Sequence, residues 1–294
     1  MFGYAVSGDT SQQKMFLLVG PKRGGKGTIA RVPTKMLGRH NVAGPTLASL
    51  GTNFGLQDII DKPVAIISDA RMGTKSDSSL IAERLLSISG EDLQNVDRKY
   101  RPPWSGYLPT RFIILSNELP RFTDASGALA SRFIVLMLAK SFYGRENPRL
   151  TDELVAELPG IFNWSLDGLQ HLRARERFSQ PQSSKEAIQE LEDLASPIGA
   201  FIRDRCKLGP QASVERDIIY KAYQNWALEN GHRPTSAATF GRDLRAARPE
   251  IKTIRPRIQG QPARFTTPAS KSRLQCMVTL TTVTKMTAWS LWSL

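Results

Sequence analysis

Met15-Phe16-Leu17-Leu18-Val19-Gly20-Pro21-Lys22-Arg23-Gly24-Gly25-Lys26-Gly27-Thr28 is the stretch on which the fold turns. Its first five residues are a continuous apolar run, the pattern of a strand buried on both faces. A glycine-rich segment follows, Gly20-Pro21-Lys22-Arg23-Gly24-Gly25-Lys26-Gly27-Thr28, and Ile29 and Ala30 open a helical pattern. Strand, glycine-rich loop and helix in that order form the setting of a phosphate-binding loop. Glycines let backbone N–H groups turn inward around a triphosphate, and the helix N-terminus adds a favourable dipole. Lys26 is expected to reach the β- and γ-phosphates. Gly27 stands where Ser or Thr is usual, so the spacing leaves open whether Thr28, one place later, or only water completes a Mg²⁺ shell.

Three further apolar runs follow, two of them ending in polar residues. Pro63-Val64-Ala65-Ile66-Ile67-Ser68-Asp69 reads as a buried parallel strand delivering a carboxylate to the ligand crevice. Asp69 is therefore expected to hold Mg²⁺ directly or through water. Residue 70 is Ala, so a second acid for activating water has to come from elsewhere, with Asp77, Glu83 and Glu91 as candidates. Thr110 to Pro120 contains Arg111-Phe112-Ile113-Ile114-Leu115-Ser116-Asn117, a strand that places Asn117 as a sensor amide beside a γ-phosphate. Phe133 to Leu138 is the fourth run. Arg132, just ahead of it, is either a finger reaching a neighbour's nucleotide or an ordinary surface arginine.

Charge narrows the partners. Of 294 residues, 40 are Lys or Arg and 27 are Asp or Glu, a formal net charge of +13 and a pI near 10.0, which favours a polyanion, nucleic acid before membrane. Arg98-Lys99-Tyr100-Arg101 packs three cations and an aromatic before Pro102-Pro103-Trp104, a composition suited to tracking a nucleic-acid backbone and equally found in solvated loops. Cys206 and Cys276 form no disulfide framework, and the three histidines are scattered, so zinc chemistry has no pattern to rest on. The N-terminus has no basic segment followed by a long apolar one, and a cytoplasmic location is expected.

The C-terminal part is expected to be helical and basic. Leu150 to Arg177 has helical spacing, followed by helices over 185–195 and 197–206. Val214 to Glu229 and Thr239 to Ala247 form a further pair, and Ile251 to Ile258 and Ala263 to Thr267 read as strands. Residues 201–274 hold 15 Lys or Arg and 6 Asp or Glu, a net +9, so most of the chain's excess charge lies there. Two helices and a β-wing suggest a winged helix, whose second helix would carry Arg242 and Arg245 onto duplex DNA. Leu274 to Leu294 has the length of a membrane span but is too polar for one.

GPKRGGKGT, the IISD strand, LLSISGEDLQNVDRKYRPPWSG, LPTRFIILSNELP and SGALASRF, in that order, resemble the C-terminal half of phage- and plasmid-type primase–helicases within the superfamily 3 helicases. The resemblance runs from residue 4 to about 270. It implies, for those segments in turn, the phosphate loop, the metal-binding acid, a DNA-translocating hairpin, the sensor and the arginine finger. It also implies hexameric rings that hydrolyse ATP between subunits and unwind DNA. The chain departs from the family in having Ser68-Asp69-Ala70 where many relatives have an acidic pair, and it has no primase-type segment ahead of residue 4, so primase activity is not implied.

The expectation is an α/β P-loop (AAA+-like) ATPase core over 1–160, a helical connector over 161–208, a winged-helix-like DNA-binding domain over 209–268, and a disordered or aberrant tail over 269–294. The expected function is ATP- and Mg²⁺-dependent DNA unwinding or translocation in phage or mobile-element replication, as a homo-hexamer without a membrane. Single-stranded DNA would occupy the ring, held by Arg98, Lys99 and Arg101, and duplex would lie at the winged helix. One alternative is a degenerate prophage remnant that binds DNA without motor activity. The other is a small-molecule kinase, since adenylate kinases also carry Gly-Lys-Gly-Thr.

Overall fold

The structure, a computed structural model, describes residues 1–71, 77–124, 126–208, 214–254, 273–275 and 279–280. Two units divide the chain, Met1–Ala195 and Ser196–Leu294. The first contains, in order, α1 (Phe2–Val6), β1 (Met15–Val19), α2 (Lys26–Leu37), β2 (Val42–Ala43), α3 (Leu47–Leu50), β3 (Val64–Ile67), α4 (Ser78–Ser89), β4 (Gln94–Arg98), β5 (Arg101–Gly106) and β6 (Arg111–Ser116). It continues with α5 (Ala128–Ser131), β7 (Phe133–Met137), α6 (Leu150–Ala156), α7 (Leu158–Arg175) and α8 (Gln182–Ala195). The connector expected over 161–208 is thus shared: α7 and α8 lie in the first unit and α9 (Pro197–Arg205) in the second.

A parallel sheet in the order β2-β3-β6-β1-β7 forms the centre of the first unit. The alternation of β1 divides its side chains between two cores. Met15, Leu17 and Val19 join a core with Ile81, Leu85, Phe112, Phe133 and Leu191. Phe16 and Leu18 point the other way, toward Tyr4, Ala30, Ile113 and Leu172. Helices therefore cover both faces, and both faces of the middle strands must be apolar.

Local chemistry accounts for several of these elements. α1, only five residues long, buries Tyr4 and Ala5. The Tyr4 ring meets Phe16 at 6.2 Å and Phe178 at 5.3 Å, both edge-on. Pro33 sits well inside α2, at the cost of one helical hydrogen bond. Leu47–Leu50 is a helical turn because Thr46 and Ser49 form a reciprocal capping box. Gln57–Ile59 is a 3₁₀ turn. The single helix expected from Leu150 parts at Glu157, and Pro159 lies in the first turn of α7, where its missing N–H is tolerated.

The second unit comprises α9, β8 (Cys206–Lys207), β9 (Val214–Glu215), α10 (Arg216–Glu229), α11 (Ala237–Ala247), β10 (Lys252–Ile254), β11 (Arg273–Gln275) and β12 (Thr279–Leu280). Its core is aromatic: Phe201, Tyr223, Trp226 and Phe240 converge, with Tyr223 and Phe240 stacked at 4.8 Å. β11 pairs antiparallel with both β10 and β9, and β12 pairs with β8. The tail expected to lack structure from residue 269 thus supplies the middle strand of a three-stranded sheet. The strand expected over 263–267 lies outside the described residues.

The Tyr4 hydroxyl is buried without a hydrogen-bond partner, and burial, with the charge of Asp9 second, pushes the phenol up to about 12. Tyr4→Phe should leave stability at pH 7 unchanged or raise it by up to about 1 kcal/mol, whereas Tyr4→Ala should cost about 3–5 kcal/mol. The folded state holds the phenolic proton more tightly than the unfolded chain does. Its contribution is therefore complete below pH 10 and is lost as pH rises toward 12, and Tyr4→Phe should abolish that alkaline loss. Urea unfolding of the three proteins at pH 7 and across pH 9–12 measures both.

Candidate functional site

The C-terminal edge of the parallel sheet gathers the polar residues that end its strands. The Gly20 N–H donates to Ser116 O at 3.2 Å, and the Ala70 N–H to Leu115 O at 2.9 Å. These two bonds draw the ends of β1, β3 and β6 together. Lys26, the first residue of α2, sits in the middle: its ammonium donates to Gly20 O at 2.6 Å, Pro21 O at 2.9 Å and Asn117 Oδ1 at 3.0 Å. Burial lowers the Lys26 pKa, and the Asp69 carboxylate opposes that shift. Lys26, Asp69 and Asn117 are thus brought together from three strand ends.

The loop between β1 and α2 needs some of its glycines. A Cβ on Gly20 would lie 2.5 Å from Leu138 O, and one on Gly24 would lie 2.9 Å from Pro21 O. Gly25 has φ 88, in the left-handed region, and is the N-cap of α2. Gly27 is different, since a Cβ there would meet only Arg31 Nη1, at 3.7 Å. The outer wall is the segment after β7: Ser141 Oγ donates to Lys22 O, the Phe142 N–H donates to Arg23 O, and Arg23 Nε lies 3.3 Å from Glu146 Oε1. Between wall and loop is a cleft of about 690 Å³, with Lys22, Arg23, Lys26, Arg31 and Arg145 on its lining. Five cations on the lining of one cleft suit a polyphosphate.

The candidate metal ligands are arranged less simply. The Thr28 hydroxyl accepts from Arg31 Nη2 at 3.0 Å. Asp69 Oδ2 lies 3.5 Å from Arg71 Nε on an exposed surface. Of the candidates for a second acid, Asp77 Oδ1 caps α4 through the N–H groups of Ser79 and Leu80. Glu91 accepts the Thr10 hydroxyl, and Glu83 is exposed on α4. Among the described residues, no group of three or more His, Cys, Asp or Glu gathers as a metal cluster.

Arg132 lies at the other end of the sheet. It follows α5, and its carbonyl accepts the Met15 N–H where β1 begins. The length of β1, roughly 15–17 Å, separates it from the glycine-rich loop of its own chain. Its guanidinium donates to Gln13 Oε1.

β4 and β5 pair antiparallel as a hairpin, with Arg98 opposite Arg101 and Lys99-Tyr100 as the turn. Tyr100 has φ 59 and is 93% exposed, and Lys99 Nζ lies 5.3 Å from its ring centroid. The Lys99 N–H donates to Gln57 Oε1, tying the tip to the 3₁₀ turn. In the second unit, α11 turns Phe240 and Leu244 inward and exposes Arg242 and Arg245 on the opposite side. Arg242 Nε donates to Asp243 at 2.8 Å.

Sequence reasoning missed Arg31, Arg145 and the 141–146 wall. Arg31 had a usable signal, three residues after Thr28 on one helical face. The wall had none, because it is a polar loop placed only by tertiary contacts.

Comparison with known proteins gives two family matches. The model described as a family of unknown function (DUF5906) matches residues 18–132, and that of the RFX DNA-binding domain matches residues 196–264. Among solved structures, the chain is similar to the apo structure of the NrS-1 C terminal region, with a TM-score of 0.52 and 13% identity, covering 91% of this chain and 67% of that one. The A form of the same region gives 0.48 at 13% identity, with the same coverage of both chains. JCV helicase with a bound thiazolopyridinyl-phenoxyphenyl acetamide gives 0.33 at 16% identity, covering 80% of this chain and 56% of that one. The fold is thus a mixed α/β arrangement on a parallel sheet, like that of the NrS-1 region. No helix among the described residues is long and apolar enough to cross a membrane.

The glycine geometry separates two substitutions. Gly20→Ala drives a Cβ into the Leu138 carbonyl and should lower the unfolding midpoint and any affinity of the cleft for an ATP analogue. Gly27→Ala meets open space and should keep the fold, apart from the roughly 1 kcal/mol or less by which Ala favours a helix over Gly. Thermal unfolding with titration of a fluorescent ATP analogue reads both.

Proposed function

We propose that this chain is the ATP-hydrolysing motor of a DNA helicase or translocase, with a C-terminal DNA-binding winged helix. The observation that carries the proposal is the meeting of Lys26 with Asn117 beside Asp69 at the end of a parallel sheet. A triphosphate in the cationic cleft would take Lys26 onto its β- and γ-oxygens, and Asn117 would then be released to orient the attacking water. Asp69 would hold Mg²⁺, which neutralises developing charge on the phosphates. Gly27 leaves no hydroxyl at the usual position, and Thr28 is engaged by Arg31, so water would fill the rest of the metal shell.

Arg132 is too far from its own chain's phosphate loop to act there. In this reading it serves a neighbouring subunit, as a ring assembly requires. The β4–β5 hairpin carries Arg98, Lys99 and Arg101 on the chain between β3 and β6, the two strands that end at Asp69 and Asn117, so DNA at its tip is linked to the nucleotide cleft.

For the second unit, the order α9, β9, α10, α11, β10, β11 with β11 between β9 and β10 supports a winged helix. The match to the RFX DNA-binding domain supports duplex as its partner. A phosphotransferase for small metabolites would leave both the hairpin and this basic unit without a role.

Lys26→Ala should abolish ATP turnover with little change in stability, because the residue is a partly exposed cation at the first position of α2. Arg132→Ala should bind nucleotide normally and hydrolyse it poorly. Mixing the two variants should restore part of the activity, because each mixed pair can form one complete site. Steady-state ATPase across mixing ratios, with assembly followed by light scattering, decides the matter, and absence of rescue in an assembled mixture counts against shared sites.

The two DNA contacts should fail separately. Lys99→Ala should remove stimulation of the ATPase by single-stranded DNA and reduce duplex binding only modestly. Arg242→Ala with Arg245→Ala should spare basal ATPase, weaken duplex binding and reduce the salt slope by about one phosphate contact per arginine. Duplex titrations over a salt series beside ATPase assays test both.

A further inference from the structure

Residues 7–14 join α1 to β1, and the side chains of Thr10, Gln13 and Lys14 reach two places far apart in the sequence. Gln13 has a left-handed backbone, φ 52. Its side-chain amide is bonded at both ends: Oε1 accepts from Arg132 Nη1, and Nε2 donates to Gly90 O at 3.3 Å. Gly90 caps α4, and only Glu91, Asp92 and Leu93 separate it from β4 of the hairpin. The neighbours of Gln13 brace the same two points. Thr10 donates its hydroxyl to Glu91, and the Lys14 ammonium donates to the Ser131 carbonyl. Burial, and after it the charge of Arg132, lower the Lys14 pKa, as two cations crowded together require.

Arg132 is thus held, among the described residues, by a neutral amide rather than a carboxylate. Such a hydrogen bond is weaker than one to a charged acceptor, so a phosphate competes for the guanidinium on favourable terms. When Arg132 leaves, Gln13 loses one of its two partners, and the other is the base of the hairpin.

We infer that Gln13 is a positioning residue that ties Arg132 to the base of the β4–β5 hairpin, so that DNA at the hairpin alters how Arg132 is presented to a neighbouring subunit's nucleotide. The inference rests on the motor function proposed above.

Three substitutions isolate the bridge. Gln13→Leu removes both bonds. Gln13→Asn suits the left-handed backbone and keeps an amide, but is one methylene too short to span the two partners. Gln13→Glu keeps, and strengthens, the hold on Arg132 while losing the donor to Gly90. The assay is steady-state ATPase over a range of ATP, with and without single-stranded DNA, beside thermal unfolding. Gln13→Leu and Gln13→Asn should keep basal turnover within about 2-fold and an unchanged KM for ATP, and should lose at least about 5-fold in DNA stimulation, the lower end of ordinary coupling between sites. Gln13→Glu should lose the stimulation and also turn over more slowly without DNA. Full stimulation in Gln13→Asn or in Gln13→Glu overturns the bridge while leaving the motor intact. Wild-type protein without DNA stimulation, or Arg132→Ala at full turnover, overturns the motor reading itself, and the bridge with it.

Discussion

The parallel pairing of Val19 with Ser116 is the constraint from which the site follows. It sets Gly20 beside the end of β6, where the Gly20 N–H bonds the Ser116 carbonyl, and leaves Asn117 as the next residue, within reach of Lys26. Side chains alternate along a strand, so a slip of one residue would turn Asn117 away and move Phe16 and Leu17 into each other's cores. Both cores oppose that slip, because Leu17 and Phe16 are buried on opposite faces. The packing that stabilises the sheet therefore also fixes the geometry of the cleft, and no separate device is needed to hold Lys26 against Asn117.

How much of this was legible in the chain depends on the length of each signal. β1, β3, β6 and β7 were readable because strands buried on both faces must be apolar throughout. Asp69 and Asn117 were readable as the polar residues that end such strands, and Lys26 from the glycine-rich segment between strand and helix. The helix α1 was not: it has five residues, too few for a period, and its burial depends on Phe16, Leu169 and Phe178, far along the chain. The bond between Gln13 and Arg132 spans 119 positions and involves a residue type that is usually solvated. The division of the Leu150 helix had a cue in Pro159, which favours a first turn over an interior. β11 has three residues, and nothing in Arg273-Leu274-Gln275 distinguishes them from their surroundings.

The N-terminal segment carries more than its composition suggests. Arg111, almost fully buried at the start of β6, donates Nη2 to Ala5 O at 3.0 Å and Nη1 to Pro109 O at 3.2 Å. A buried guanidinium is tolerable only with such acceptors. One of them comes from α1, so the first helix helps to satisfy the strand that ends at Asn117. Gly3 allows this closeness, since a Cβ there would lie 2.1 Å from Ser165 O of α7.

The position of β11 has a consequence of another kind. Among the described residues, β9 and β10 are joined in one sheet through it. A chain ended before residue 273 would therefore keep its three helices and its aromatic core, but would leave three short strands, β8, β9 and β10, with unpaired N–H and C=O groups. Unpaired strand edges recruit the edges of other molecules. Shortening this protein at its C-terminus would accordingly be felt first as self-association, before any loss of the helices that carry Arg242 and Arg245.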